Sequence, residues 1–97
     1  MRYNNSLKFE WDPKKEAVNI KKHDVSFEEA KHVFWDKNRI ILRDKKHSEV
    51  EDRLFCYGKT ERGILTVRFT MRENVIRIIG AAYWRGGRDI YEEKNRV

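Results

Sequence analysis

Residues 64–83, ILTVRFTMRENVIRIIGAAY, decide the fold. From Ile64 to Arg72 the period is two. Leu65, Val67, Phe69 and Met71 fall on one face, and Ile64, Thr66, Arg68, Thr70 and Arg72 on the other. Glu73-Asn74 has the length and chemistry of a hairpin turn, so Val75 to Tyr83 returns antiparallel. On that return strand Ile76 and Ile78 join the apolar face, while Arg77, Ile79 and Tyr83 join the arginine face.

Upstream, Thr60-Glu61-Arg62-Gly63 is a second hairpin connection, preceded by a strand over about Glu51 to Lys59. Arg53, Phe55, Tyr57 and Lys59 alternate there with Leu54, Cys56 and Gly58. A fourth strand is expected over Arg39 to Arg43, separated from the third by a charged loop.

Helical signals come earlier. Asp12-Pro13 offers an N-cap followed by proline at the first helical position. A helix over about Pro13 to His23 would turn Ala17, Val18 and Ile20 inward and its lysines outward. Ser26-Phe27-Glu28-Glu29 reads as a capping box, with Val25 stapling onto Ala30. The helix it opens, to about Asp36, would bury Phe27, Ala30, Val33 and Phe34. Phe9-Glu10-Trp11 is a short extended lead-in. Arg85-Gly86-Gly87 breaks the last strand before a terminal helix from about Arg88 to Asn95. The expected fold is α+β, with two N-terminal helices on one face of an antiparallel sheet of about four strands and a short C-terminal helix. Residues 1–97 are read as one domain.

Composition narrows the function. Lys plus Arg number 22 against 16 Asp plus Glu, a formal +6, and twelve aromatics argue against a disordered basic tail. No apolar run approaches the roughly 20 residues of a membrane helix, and no secretory signal is evident. A single cysteine, Cys56, excludes an internal disulfide and suits a reducing cytoplasm. The charge is unevenly divided. Nine of the 12 basic residues before position 51 are lysines, whereas eight of the 10 after it are arginines. Arginine forks suit phosphate and stack on bases, so arginines interleaved with aromatics on a sheet face point to RNA, or to a protein partner covering that face.

Several stretches resemble the BrnT toxin family. They are Phe9-Glu10-Trp11-Asp12-Pro13-Lys14, Asn19, Lys22-His23-x-Val25-Ser26-Phe27-Glu28-Glu29-Ala30, Val33-Phe34, His47-Ser48-x-x-Glu51-x-Arg53, Gly58, Arg62-Gly63-x-Leu65, Arg77-Ile78-Ile79-x-Ala81 and Tyr91-Glu92. The resemblance spans about residues 9 to 93. It implies the toxin of a type II toxin–antitoxin pair with a RelE-like fold, cleaving RNA without a metal and stopping translation. It also implies a BrnA-like antitoxin partner, with DNA contacted only indirectly through that antitoxin. The chain departs from the family pattern at Asp24, where glycine is usual, and over Gly80 to Arg88, where many members read Ser-Ala-Arg.

Metal-free cleavage needs a base for the 2′-hydroxyl, an acid for the leaving 5′-oxygen and cations around the phosphorane. Arg53, Arg77 and Arg85 are the expected cations, the alternative for each being a surface ion pair. His47 is the expected acid or base, since an unperturbed histidine titrates near neutrality, with Glu51 beside it. The alternative is that His47 orders its loop and Glu51 pairs with an arginine. Tyr83 is placed as a proton donor, a stacking group or a packing residue. Arg68, Arg72, Trp84 and Arg88 are expected to contact RNA. Lys14, Lys15, Lys21 and Lys22 are read as a solvated helix face, His23 and His32 as helix-end and surface residues, and Trp11 and Trp35 as core or antitoxin-facing. No histidine or cysteine spacing suggests zinc, and no cofactor is expected. The competing reading is a catalytically weak or inactive toxin that serves as an RNA-binding module or as the antitoxin's co-repressor.

Overall fold

The computed structural model describes residues 7–47 and 51–96, His47 through its backbone alone. The chain runs β1 (Lys8–Trp11), α1 (Pro13–His23), α2 (Phe27–Ala30) continued as a 3-10 turn (Lys31–Trp35), and β2 (Ile40–Arg43). A 3-10 turn at Lys45–His47 follows, then β3 (Leu54–Thr60), β4 (Gly63–Arg72), β5 (Val75–Ala82) and α3 (Arg85–Lys94). The fold is α+β as expected, with one strand more than expected. The Phe9-Glu10-Trp11 lead-in is a true strand that pairs parallel with β5, giving a five-stranded mixed sheet of order β1-β5-β4-β3-β2.

The antiparallel centre follows the alternation. Leu65, Val67, Phe69, Ile76 and Ile78 are all buried, and they meet Val25, Phe27, Ala30, Val33 and Phe34 from the α2 segment. Glu73 and Asn74 both take positive φ, the backbone of a two-residue primed hairpin turn. Met71, expected on the core face, is about half exposed, since β3 begins only at Leu54, opposite Phe69, and does not extend beside it.

Tyr83 changes face, and a bulge is the cause. Phe69 pairs with Ile78 but Arg68 pairs with Gly80, so Ile79 is an extra residue in β5. One inserted residue inverts the parity of everything after it. Ala81 therefore turns into the core, and Tyr83 packs against the core side rather than the arginine side.

Helix α1 does not lie on the sheet face either. Its buried residue is Asn19, while Ala17, Val18 and Ile20 are exposed. β1 pairs with β5 only as far as Ile78, leaving the edge of β5 open beyond that point. The Asn19 amide fills the gap. Its Nδ2 donates to the carbonyls of Ala81 and Val25 (both 2.9 Å), and its Oδ1 accepts from the Ala81 N–H (3.1 Å). A side chain thus stands in for the next strand, and α1 runs along the sheet edge as a wall. Glu16 ties that wall to its neighbours, accepting from Trp11 Nε1 (3.1 Å) and from the Phe27 N–H (2.9 Å).

The N-caps form as read. Asp12 accepts from the Lys14 N–H, Ser26 accepts from the Glu29 N–H, and Asp24 ends α1 in the left-handed conformation with φ of 58°. Beyond Ala30 the α-helix tightens into the 3-10 turn. Val33 there lies so close to β3 that a Cβ at Gly58 would meet its Cβ at 2.6 Å and its Cα at 2.8 Å. Phe34 packs edge-on against both Phe9 and Phe69.

Helix α3 begins at Arg85, three residues earlier than expected, because the glycines read as a break permit a close approach. A Cβ at Gly87 would lie 1.8 Å from Thr66 Oγ1, and one at Gly86 would lie 2.3 Å from the Trp84 ring. The start of α3 consequently lies on the arginine face of the sheet, over Thr66 and Tyr57. Its far end is held by Tyr91, whose hydroxyl donates to Asp36 Oδ2 (2.7 Å).

Candidate functional site

The arginine face of the sheet is walled by α1 on one side and by the start of α3 at one end. Between them runs a groove of about 660 Å³. Phe55, Thr66 and Arg68 form its floor, Ile79 to Ala82 one flank, Lys14, Lys15, Val18, Lys22 and His23 the α1 wall, and Trp84 the α3 end.

Arg68 is the central cation. Its guanidinium lies over the Phe55 ring, 5.6 Å from the centroid. Its Nε lies 3.5 Å from the Asp44 carboxylate, an ion pair but not a good hydrogen bond, in a pair whose acid is nearly buried. That Nε is itself buried and has no hydrogen-bond partner among the described residues. Thr66 Oγ1, also on the floor and buried, has none either.

The other expected site residues do not converge on one point. Thr70 pairs with Arg77, which bonds Glu10 (3.2 Å), and Thr70 Oγ1 donates to the Asp52 carbonyl (2.7 Å) beside Arg53. Arg53 and Arg77 therefore flank one end of the arginine face. Glu51 precedes β3, which starts at Leu54, and is not aligned with Arg53 along a strand. It bonds Arg72 at 3.3 Å and lies 4.0 Å from Arg53. Arg85 and Arg88 line a separate small groove with Arg62, Tyr83 and Trp84. His47 closes its 3-10 turn, and its side chain and all of Ser48 lie outside the described residues.

Tyr83 is committed elsewhere. Its hydroxyl bonds Glu29 Oε2 (2.5 Å) and Thr60 Oγ1 (2.6 Å), with the Arg62 guanidinium 4.8 Å above its ring. Arg62 also grips Glu29 through Nε (2.9 Å) and one terminal nitrogen (3.0 Å). The capping-box carboxylate is thus spent on the β3–β4 hairpin. The Arg62 hydrogen bonds, with help from Tyr83, hold the Glu29 carboxyl below its ordinary value despite burial. A lowered carboxylate stabilises the fold at higher pH, and that contribution disappears as pH falls through the folded-state value. Glu29→Gln should therefore flatten the acid limb of a melting-temperature profile below about pH 4.5. An acid limb identical to wild type would show that this network carries no proton linkage.

Cys56 is buried, and burial pushes its thiol up to about 12, so it is not a nucleophile. Among the described residues no three histidine, cysteine or carboxylate side chains gather into a metal-sized cluster. No helix among them is long and apolar enough to cross a membrane.

Comparison with known families decides the class. The model of a family described as the ribonuclease toxin BrnT of type II toxin–antitoxin systems matches residues 11–86. The chain belongs to this family. No curated protein matches it. Type II membership gives the toxin a protein antitoxin as its partner. The match begins at Trp11 and ends at Gly86, so it takes in α1, the arginine face and the start of α3.

Two features of the toxin's groove escaped sequence reading. His23 reads as a helix-end residue and the α1 lysines as a solvated face, and all are exposed, but Lys14, Lys15, Lys22 and His23 face the groove while Lys21 does not. The sequence carries no direct signal of this, since the burial of Asn19 is set by its tertiary contacts with Val25 and Ala81.

Proposed function

We propose that the toxin is a metal-independent endoribonuclease whose reaction takes place in the α1–α3 groove, with Arg68 as its principal phosphate-facing cation. The carrying observation is that the partly exposed Arg68 guanidinium lies on the floor of a groove that also contains His23. A phosphate oxygen is the acceptor such a fork suits best. Imidazole is the commonest general acid–base in proteins, and among the described residues His23 is the imidazole that lines this groove. In the proposed step the base takes the proton of the 2′-hydroxyl and O2′ bonds to phosphorus. The P–O5′ bond breaks, and the departing oxygen is protonated. The products are a 2′,3′-cyclic phosphate and a 5′-hydroxyl. Arg53 and Arg77 lie along the same face and hold neighbouring phosphates. By this reading the fold is of RelE type, and cleavage in the cytoplasm stops translation until a BrnA-like antitoxin covers the groove.

Cleavage should continue in excess EDTA and leave the cyclic phosphate or its 3′-phosphate product. Activity lost on chelation and restored by magnesium would sink the mechanism. His23→Gln should slow cleavage by roughly 10²–10⁴-fold, the range for a general acid–base. Production without the antitoxin should arrest growth, and co-production should relieve the arrest.

A non-catalytic reading has one observation behind it. Arg77, Arg68 and Arg72 each have a carboxylate neighbour, in Glu10, Asp44 and Glu51, with which a phosphate must compete. If purified protein binds RNA but leaves it intact, the chain is the RNA-binding or co-repressor form.

A further inference from the structure

Resting on the reading above, we infer that the groove admits single-stranded RNA only, with the phosphates tracked by Lys14, Lys15 and Lys22 and a base stacked on Trp84. The placement of charge comes first. These three lysines project from one wall toward a floor that contains Arg68, so cations line two sides of one channel. Spacing along α1 supports it. Lys15 and Lys22 are seven residues apart, two helical turns and roughly 10 Å along the axis, which spans more than one backbone phosphate.

The aromatic end comes next. Trp84 is about half exposed (53%), although one side of its ring lies against Gly86. A large apolar ring that lines the groove, is held in place by a glycine contact and stays half exposed is a stacking platform. Phe55, the other aromatic in the groove, is already covered by the Arg68 guanidinium. Duplex RNA keeps its bases stacked inside and presents sugars and phosphates, so it has no base face to offer Trp84. Exclusion of duplex follows from the platform, whereas the lysines alone would accept either form.

The test uses the whole toxin in EDTA and a fluorescent 2′-O-methyl RNA 12-mer, which cannot form the cyclic phosphate. Binding is read by anisotropy at several salt concentrations, for the single strand and for its duplex. Wild type should prefer the strand. Trp84→Ala should weaken strand binding about tenfold or more, while Trp84→Phe retains most of it. Lys15→Gln with Lys22→Gln should reduce the slope of log affinity against log salt by about 1.4, or about 0.7 for each lost phosphate contact. Lys37→Gln with Lys94→Gln, exposed lysines away from the groove, should leave that slope close to wild type. Equal affinity for strand and duplex, or folded Trp84→Ala binding like wild type, would overturn the inference. So would equal salt slopes for the two lysine pairs. Cleavage is scored separately. If strand binding follows this pattern while Arg68 and His23 variants still cleave, the catalytic assignment fails and the binding track stands. If those variants are inactive but the Trp84 and lysine variants bind normally, the track fails and the catalytic assignment stands.

Discussion

Arg68→Lys should fold and bind RNA but cleave slowly, and Arg68→Ala should lose cleavage by roughly 10²–10³-fold, as loss of other preorganised oxyanion donors does. The lysine variant is the more informative of the two. Asp44 is only 5% exposed, so alanine at position 68 takes a cation away from a nearly buried carboxylate. Breaking such a pair from one side is destabilising, and an inactive Arg68→Ala protein could simply be less folded. Lysine keeps the charge beside Asp44 but has no fork, so it cannot hold the ion pair and two phosphate oxygens together. Its expected signature is a melting temperature near wild type with a greatly reduced rate. Arg77→Ala is the comparison. Arg77 pairs with Glu10 near the edge of the face and does not line the groove, so its loss should cost less than that of Arg68. If Arg77→Ala is inactive and Arg68→Lys cleaves normally, the reacting phosphate sits at the Arg53–Arg77 end of the sheet.

How much of this was legible in the sequence depended on whether local pattern or tertiary geometry set each feature. Strands β3 to β5 and their turns follow from alternation and turn chemistry, and the α2 core residues follow from helical spacing. The parallel strand β1 was not legible, because four residues without a hairpin give no sign of their partner. Tyr83 was misplaced for a definite reason. Ile78-Ile79-Gly80 reads as an unbroken strand, yet the bulge at Ile79 shifts every later residue to the opposite face. The arginine face was legible, since Arg68 and Arg77 lie where alternation puts them. Its walls were not. The apolar residues of α1 suggested an inward face, whereas the helix docks edge-on through Asn19 and turns Lys14, Lys15 and Lys22 to the groove. Gly86-Gly87 signalled a chain break by composition and proved to be the contact that lets α3 lie on Thr66.

The largest stability effect is expected at Asn19. Asn19→Leu preserves side-chain size and adds hydrophobicity, so a pattern-based reading would predict stabilisation. The geometry predicts the opposite. Its amide satisfies the N–H and C=O of Ala81 and the C=O of Val25, all in a buried setting. A buried backbone group left without a partner costs about 1–3 kcal/mol. Three such groups, partly relieved by entering water, give a loss of roughly 3–5 kcal/mol. Against a typical total of about 5–15 kcal/mol this is a large fraction, worth roughly 15–30 °C in melting temperature for a domain of this size. Asn19→Asp separates hydrogen bonding from packing. It keeps the acceptor for the Ala81 N–H but puts a carboxylate oxygen where Nδ2 faced two carbonyls. Ionisation is disfavoured there, so the folded-state pKa of the introduced acid is raised. A raised carboxyl is least destabilising below its unfolded value and grows more so as pH rises toward the folded one. Asn19→Asp should therefore gain stability relative to wild type on acidification, the reverse of the Glu29 contribution. Melting curves at pH 4 and pH 7 for both variants decide the matter. An Asn19→Leu protein within a few degrees of wild type would mean that α1 is not held to the β5 edge as described, and the groove would lose its lysine wall.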